Sequence, residues 1–289
     1  IIPIFDLIRG AYLEDSQTKP SDLAKQIAEL FNENLTVTVV KRIRMEVGLH
    51  KGNLRYGHSV RLQNRAPRYS FCRLHLDMGT MFTSHCFTDE SMVQSGVKGR
   101  YVYILKGDNS RRVKPRFKHP PSVRSSTSLS FLPLSLQLMI WGGISWEGAT
   151  PIVILRRGTK VDGGVYQTML HKVYRPWAKK KYGGEVTLVQ DNARCHVSES
   201  TRSYMANEEI ETMEWPAESP DLNPVEMAWA HMKQWLQSND KGASLTSLEE
   251  GIREWWSTKL TKDHCRKLIL RMQKQMKKVV EAKGGPVYD

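Results

Sequence analysis

The sequence predicts an α/β chain in two parts: a small all-helical unit, then a mixed sheet flanked by helices. Three observations carry this. Apolar residues within the first 50 positions recur at helical spacing. From residue 80 onward, short apolar runs alternate with longer amphipathic stretches. Two of the short runs lead into an aspartate, Asp89 and Asp191, and a sheet presents side chains to a ligand where a strand leaves its core.

The elements follow in order. A first helix spans roughly Ile4–Leu13. A second follows Ser21, with Leu23, Ala24, Ile27, Ala28 and Phe31 on one face. Asn32-Glu33-Asn34 makes the connection, and Thr36 or Thr38 caps the third helix, Thr38–Val47. Its spacing sets Val39, Ile43 and Val47 inward and turns Lys41, Arg42 and Arg44 away. A basic second helix after a short polar turn is the pattern that reads DNA. Residues 51–79 carry Lys51, Arg55, His58, Arg61, Arg65, Arg68 and Arg73. They read as a basic linker entering a helix at Ala66–Asp77, suited to neutralising phosphates.

The sheet begins with a strand over Met81–Phe87 that ends at Asp89, followed by Tyr101–Leu105. Met139–Ser145 and Pro151–Leu155 form a hairpin, and a helix covers Val165–Lys181. Strand Val186–Gln190 ends at Asp191; helix Ser198–Asn207, strand Ile210–Glu214 and helix Val225–Gln237 follow. Two more helices run over Leu245–Lys259 and Lys262–Ala282. Residues 123–137, VRSSTSLSFLPLSLQ, lack charge after Arg124 and interrupt the alternation. They read as an insertion, with the composition a translated intron would leave.

Composition narrows the chemistry. The chain has 289 residues, 43 Lys and Arg against 30 Asp and Glu, and a net charge of +13. That balance favours a polyanionic partner. No apolar run is long enough to span a bilayer. Cys72, Cys86, Cys195 and Cys265 are scattered without CxxC spacing, which supports neither a zinc site nor a disulfide framework.

Three carboxylates stand in distinctive contexts: Asp89 in FTDES, Asp191 in LVQDNARCH and Glu226 in WPAESPDLNPVEMAW. Between Asp191 and Glu226 lie 34 residues. Pro220 and Pro224 break the chain, which sets Glu226 in the first turn of a helix whose dipole favours a negative charge there. Carboxylate oxygens suit hard divalent cations, and two such ions can clamp an in-line displacement at phosphorus. Asn192 and His196 follow Asp191 closely enough to support it or touch a phosphate. Asp221 competes with Glu226 for the third position, but its Ser219-Pro220-Asp221 context reads as a capped turn.

These stretches, together with WGGIS, resemble the Tc1/mariner superfamily of DNA transposases, in the Tc1-like branch. The resemblance covers most of residues 20–240. It implies a ribonuclease-H-like catalytic domain at 80–240, a helix-turn-helix domain at 1–50 and the linker at 51–79. Residues 241–289 then supply C-terminal helices. Asp89, Asp191 and Glu226 fall on the family's catalytic, metal-holding positions. The resemblance further implies two Mg²⁺ or Mn²⁺ ions, double-stranded DNA as substrate, a homodimer that joins two element ends, and a nuclear setting. Lys41, Arg42, Arg44, Lys51 and Arg55 are the expected DNA contacts. The alternative is a catalytically silent DNA-binding protein derived from such an enzyme.

Overall fold

Helix-forming stretches at the start of the chain condense as their periodicity requires: α1 (Ile2–Glu14), α2 (Pro20–Phe31) and α3 (Val37–Glu46). The structure, a computed structural model, describes residues 2–15, 18–53, 55–94, 101–105, 113–116 and 137–287. Pro20 opens α2 with its φ already helical. Asn32, at φ 54°, closes it in the left-handed region that Asn tolerates. Thr36 caps α3 by accepting from the Val39 N–H at 3.3 Å. Ile8, Tyr12, Leu23, Ile27, Val40 and Ile43 bury the shared apolar surface.

The α3 register differs from the expected one. Its buried face is Val40, Ile43 and Arg44, with Val39 and Val47 only half-buried. The expected linker also has structure, because β1 (Leu49–Asn53) runs into its start and β2 (Arg55–His58) lies within it. The helix that follows, α4 (Leu62–Asp77), starts four residues before the expected Ala66.

Strand β3 (His85–Gln94) runs through Asp89 instead of ending there. After β3 the chain contributes β4 (Tyr101–Leu105), which pairs antiparallel with β1, and β5 (Val113–Arg116), which pairs with β2. The Tyr101–Leu105 strand therefore lies outside the main sheet. Ile1–Gly57 with Lys98–Arg116 make one compact unit, and His58–Val97 with Phe117–Val287 make the other. Of the expected insertion at 123–137, residues 123–136 lie outside the described residues, and Gln137 opens the next strand.

The second unit holds the five-stranded sheet. Strand β6 (Gln137–Ser145) pairs antiparallel with β3, and β7 (Gly148–Ala149) and β8 (Val153–Ile154) turn back on β6. A helical stretch follows: α5 (Gly163–Met169), a π-helical turn at Leu170–Tyr174, and α6 (Arg175–Tyr182). Then come β9 (Thr187–Val189), α7 (Arg194–Val197) and α8 (Glu199–Asn207). The expected strand Ile210–Glu214 is reduced to a bridge between Leu188 and Thr212. The chain continues through α9 (Pro224–Ser238), α10 (Leu245–Glu254), a π-helical turn at Trp255–Lys259 and α11 (Lys262–Glu281).

Alternation along the strands divides the core in two. Phe87, Ile140, Ile144 and Val189 pack with Val225, Trp229, Trp256 and Met272 from α9 to α11. Cys86, Trp141 and Leu188 pack the other way, with Tyr166, Leu170, Tyr174 and Trp177. The sheet is thus a middle layer between two layers of helices.

Candidate active site

The first two carboxylates are brought together by strand register. Strand β9 pairs parallel with β3, matching His85 to Thr187, Cys86 to Leu188 and Phe87 to Val189. Asp191 stands in the same relation to Asp89, so continuing that offset by two residues sets the aspartates side by side. Neighbouring strands run about 4.8 Å apart, a separation that carboxylates can span to share a cation. By alternation both lie toward the layer containing α9, the face shared by Phe87 and Val189.

The third carboxylate arrives on α9. Asn223 caps this helix, its side chain accepting from the Val225 N–H at 3.3 Å. The Asn223 amide also donates to the Thr88 carbonyl at 3.4 Å, next to Asp89. Farther along α9, the Lys233 ammonium donates to Ser91 Oγ at 2.8 Å. Glu226 lies between these two anchor points, and Asp89 lies between their partners on β3. Helix and strand therefore run in the same sense with the two carboxylates on facing stripes. Trp229 stacks on Trp256 with ring centroids 4.8 Å apart, which holds α9 down.

This packing explains the WGGIS glycines. Gly142 is paired with Asp89, and a Cβ on it would meet Trp256 at 2.9 Å. A Cβ on Gly143 would meet Thr88 at 2.7 Å and the Phe87 carbonyl at 3.0 Å.

Polar contacts orient the two aspartates. The Glu90 N–H donates to Asp89 Oδ1 at 2.8 Å, and the Ala193 N–H donates to Asp191 Oδ1 at 2.9 Å. His196 is buried, with Nδ1 3.0 Å from Asp191 Oδ1 and Nε2 3.2 Å from Glu90 Oε1. Burial pushes its pKa down, but the bonds to Asp191 and Glu90 outweigh burial and hold it up at about 11. The ring thus bridges Glu90 on β3 to Asp191, two residues past β9. Desolvation lowers the pKa of Lys233, while the charges of Glu226 and Asp89 pull it back up. One ammonium thus senses two of the three carboxylates.

Asn192 braces the chain instead of facing the carboxylates: its amide donates to the Trp215 carbonyl at 2.9 Å. Trp141 and Trp215 are both buried in the core. Asp221 is turned away from the carboxylates and held by Arg68 at 2.7 Å and His58 at 3.3 Å. Glu90 and Lys233 were not singled out from sequence. Glu90 neighbours Asp89, and Lys233 falls seven residues after Glu226, on the same helical stripe.

The expected DNA contacts divide. Lys41 and Arg42 are exposed on α3, and Lys51 is exposed on β1. Arg55 lies on β2, and its side chain is outside the described residues. Arg44 is a correction. Its guanidinium sits 3.6 Å from the centre of the Tyr103 ring and donates to the Tyr12 hydroxyl at 3.5 Å. A cation stacked between buried Tyr12 and half-buried Tyr103 is a packing element.

Among the described residues, no three His, Cys, Asp or Glu side chains already form a metal-holding group. The donor set nonetheless suits a hard divalent cation: two aspartates in register and a glutamate on the facing helix, all supplying oxygen. Residues 84–249, more than half of the chain, match the family described as DDE superfamily endonuclease.

The chain belongs to the DDE superfamily endonucleases. Among curated relatives, this DDE endonuclease is 25% identical over 284 residues to the Tc1 transposase of Caenorhabditis elegans, covering 96% of this chain and 97% of that one. It is 24% identical over 275 residues to the Tcb2 transposase of Caenorhabditis briggsae, covering 94% and 95%. Its fold resembles the Mos1 mariner paired-end complex with Mn, with a TM-score of 0.62 at 20% identity over 96% of this chain and 78% of that one. It also resembles the isolated Mos1 catalytic domain, with a TM-score of 0.59 at 16% identity over 81% and 99%. The expected α/β fold is thus found in this DDE endonuclease, and the expected Tc1/mariner kinship appears as similarity to these transposases.

Proposed function

We propose that this DDE endonuclease cuts element ends and joins them to target DNA, using Asp89, Asp191 and Glu226 as ligands for two divalent cations. The observation that supports this most is the parallel pairing of β3 with β9 through Phe87 and Val189, an offset that, continued by two residues, would set Asp89 beside Asp191. Bound Mg²⁺ or Mn²⁺ would supply Lewis-acid stabilisation to the attacking and leaving oxygens. Asp89 and Asp191 present oxygens from adjacent strands, and Glu226 presents its own from the start of α9. His196 fixes the Asp191 carboxylate through Oδ1. Lys233 offsets negative charge beside Glu226 and Asp89.

Lys41, Arg42 and Lys51 contact the phosphate backbone of the element end, and Arg55 is proposed from its position in β2. Two copies of the chain act together, one for each end, in the nucleus where the substrate resides. Among the described residues, no helix is long and apolar enough to cross a membrane.

The test is nicking of supercoiled plasmid carrying the element ends, with Mg²⁺ or Mn²⁺. Asp191→Ala is expected to reduce nicking to background while leaving the unfolding midpoint within a few degrees. Wild-type nicking by that variant, or nicking by the wild type in EDTA, defeats the proposal.

A further inference from the structure

The last described residues, Gly284–Val287, follow α11 as a short non-helical tail. They are bound into the loop that leads to Glu226. Arg68, on α4, is fully buried, and its guanidinium is the centre of the arrangement. Its Nη1 lies 2.8 Å from Asp221 Oδ1, 2.8 Å from Ser219 Oγ and 2.9 Å from the Glu218 carbonyl, three acceptors that share its two N–H bonds. Its Nη2 donates to Asp221 Oδ2 at 2.7 Å. The remaining acceptors come from the tail: Nε donates to the Gly284 carbonyl at 3.0 Å and Nη2 to the Gly285 carbonyl at 3.3 Å. The tail also reaches the acid directly, because the Val287 N–H donates to Asp221 Oδ2 at 3.1 Å.

The same loop is fastened a second time. Glu218, at φ 53°, accepts from the Arg61 N–H at 2.7 Å and from the Asn64 amide at 2.9 Å. The chain then turns through Ser219–Leu222, with the Leu222 N–H donating to the Ser219 carbonyl at 3.2 Å, and enters α9 at Pro224. Four residues separate Asp221 from Glu226, Leu222, Asn223, Pro224 and Val225, and all four are buried. A shift of the Asp221 seat is therefore carried into the first turn of α9.

Gly284 makes the seat possible. It adopts φ +78°, and a Cβ there would lie 1.9 Å from the Arg65 carbonyl oxygen. Backbone on a helix cannot yield by that amount, so any side chain at 284 displaces the tail.

We infer that Gly284–Val287 and Arg68 position Glu226 by completing the seat of Asp221, so that a segment outside the carboxylate motifs tunes the site's hold on divalent cations. This rests on the proposed metal-holding role of Asp89, Asp191 and Glu226. Arg68 and the tail are positioning elements and touch no reacting atom.

The test compares Gly284→Ala with Gly183→Ala in the full chain. Gly183 also has a positive φ, of +67°, but nothing lies within 4 Å of its would-be Cβ. Both variants carry backbone strain, and only the first disturbs the seat. Mn²⁺ binding is measured by calorimetry, alongside plasmid nicking and affinity for a DNA end. Gly284→Ala is expected to weaken Mn²⁺ binding about tenfold and to raise the Mn²⁺ needed for half-maximal nicking by a similar factor. Affinity for the DNA end stays within about twofold, and Gly183→Ala leaves Mn²⁺ binding unchanged. Equal Mn²⁺ affinity in wild type and Gly284→Ala overturns the inference, as does an equal loss in both variants. If Gly284→Ala fails to fold, Val287→Pro, which removes the N–H donor to Asp221 along with the Val287 side chain and adds nothing at 284, decides by the same readouts. A wild type that neither binds Mn²⁺ nor nicks DNA overturns the metal-holding proposal itself, and this inference with it.

Discussion

Arg44 in the first unit and Arg68 in the second are both buried arginines, and the chain accommodates them in opposite ways. Arg44 is covered by aromatic faces, with the Tyr103 ring 3.6 Å away and no carboxylate paired with it among the described residues. Arg68 is matched by a two-oxygen contact to Asp221 and by three backbone carbonyls. The first arrangement keeps a net charge inside a small helical unit at modest cost. The second neutralises the charge and joins three distant stretches of chain. A buried cation thus acts as filler in one place and as a rivet in the other.

Arg68→Ala sharpens the contrast most. Leaving Asp221 buried beside only His58 and the Val287 N–H should cost about 3–5 kcal/mol, read from urea unfolding of the metal-free protein. A loss below about 1 kcal/mol would show that Arg68 is no more than filler. The pH dependence comes next. Burial raises the Asp221 pKa, but the hydrogen bonds from His58 and Arg68 outweigh it and hold the carboxyl below its usual range. Its stabilisation is therefore present above the unfolded value and lost as pH falls through the lower folded value. Wild type should exceed Asp221→Asn in stability by a constant margin at pH 5–7, and the margin should close in stronger acid. A margin that widened on acidification would contradict the rivet.

Arg44→Ala should cost about 1–2 kcal/mol through lost cation–π contact, with DNA affinity unchanged. Loss of DNA affinity without loss of stability would return Arg44 to the surface role expected from sequence. Lys41→Ala and Arg42→Ala should do the reverse. Each should lower the slope of log affinity against log salt by about 1 and change stability by less than about 0.5 kcal/mol. Unaltered binding in both would remove α3 from the DNA-reading role.

What was legible in sequence follows from how far each cause reaches. The aspartates could be read because apolar strand residues sit immediately before them, and Glu226 because Pro224 marks a helix start. The general α/β order followed from the same short-range periodicity. Arg44 was misplaced because Tyr103, its cover, lies 59 positions away. Asp221 was read as a turn cap, since its partner Arg68 is 153 positions upstream. The strand at Tyr101–Leu105 was anticipated, but its pairing with β1 was not, because periodicity identifies strands and leaves their partners open. Likewise Gly284 carried no local sign that helix backbone lies against it.

The pairing of β3 with β9 has a consequence for how this gene can change. Hydrogen-bond register fixes which residues stand opposite one another, and the amount of polypeptide looped out between the two strands does not enter. Doubling such a loop costs only about 0.6 kcal/mol in closure entropy, whereas slipping either strand by one position turns its aspartate to the opposite side of the sheet. Mutation is therefore free to lengthen or shorten the connections between the intervening elements, while the few residues on either side of Asp89 and Asp191 admit no insertion at all.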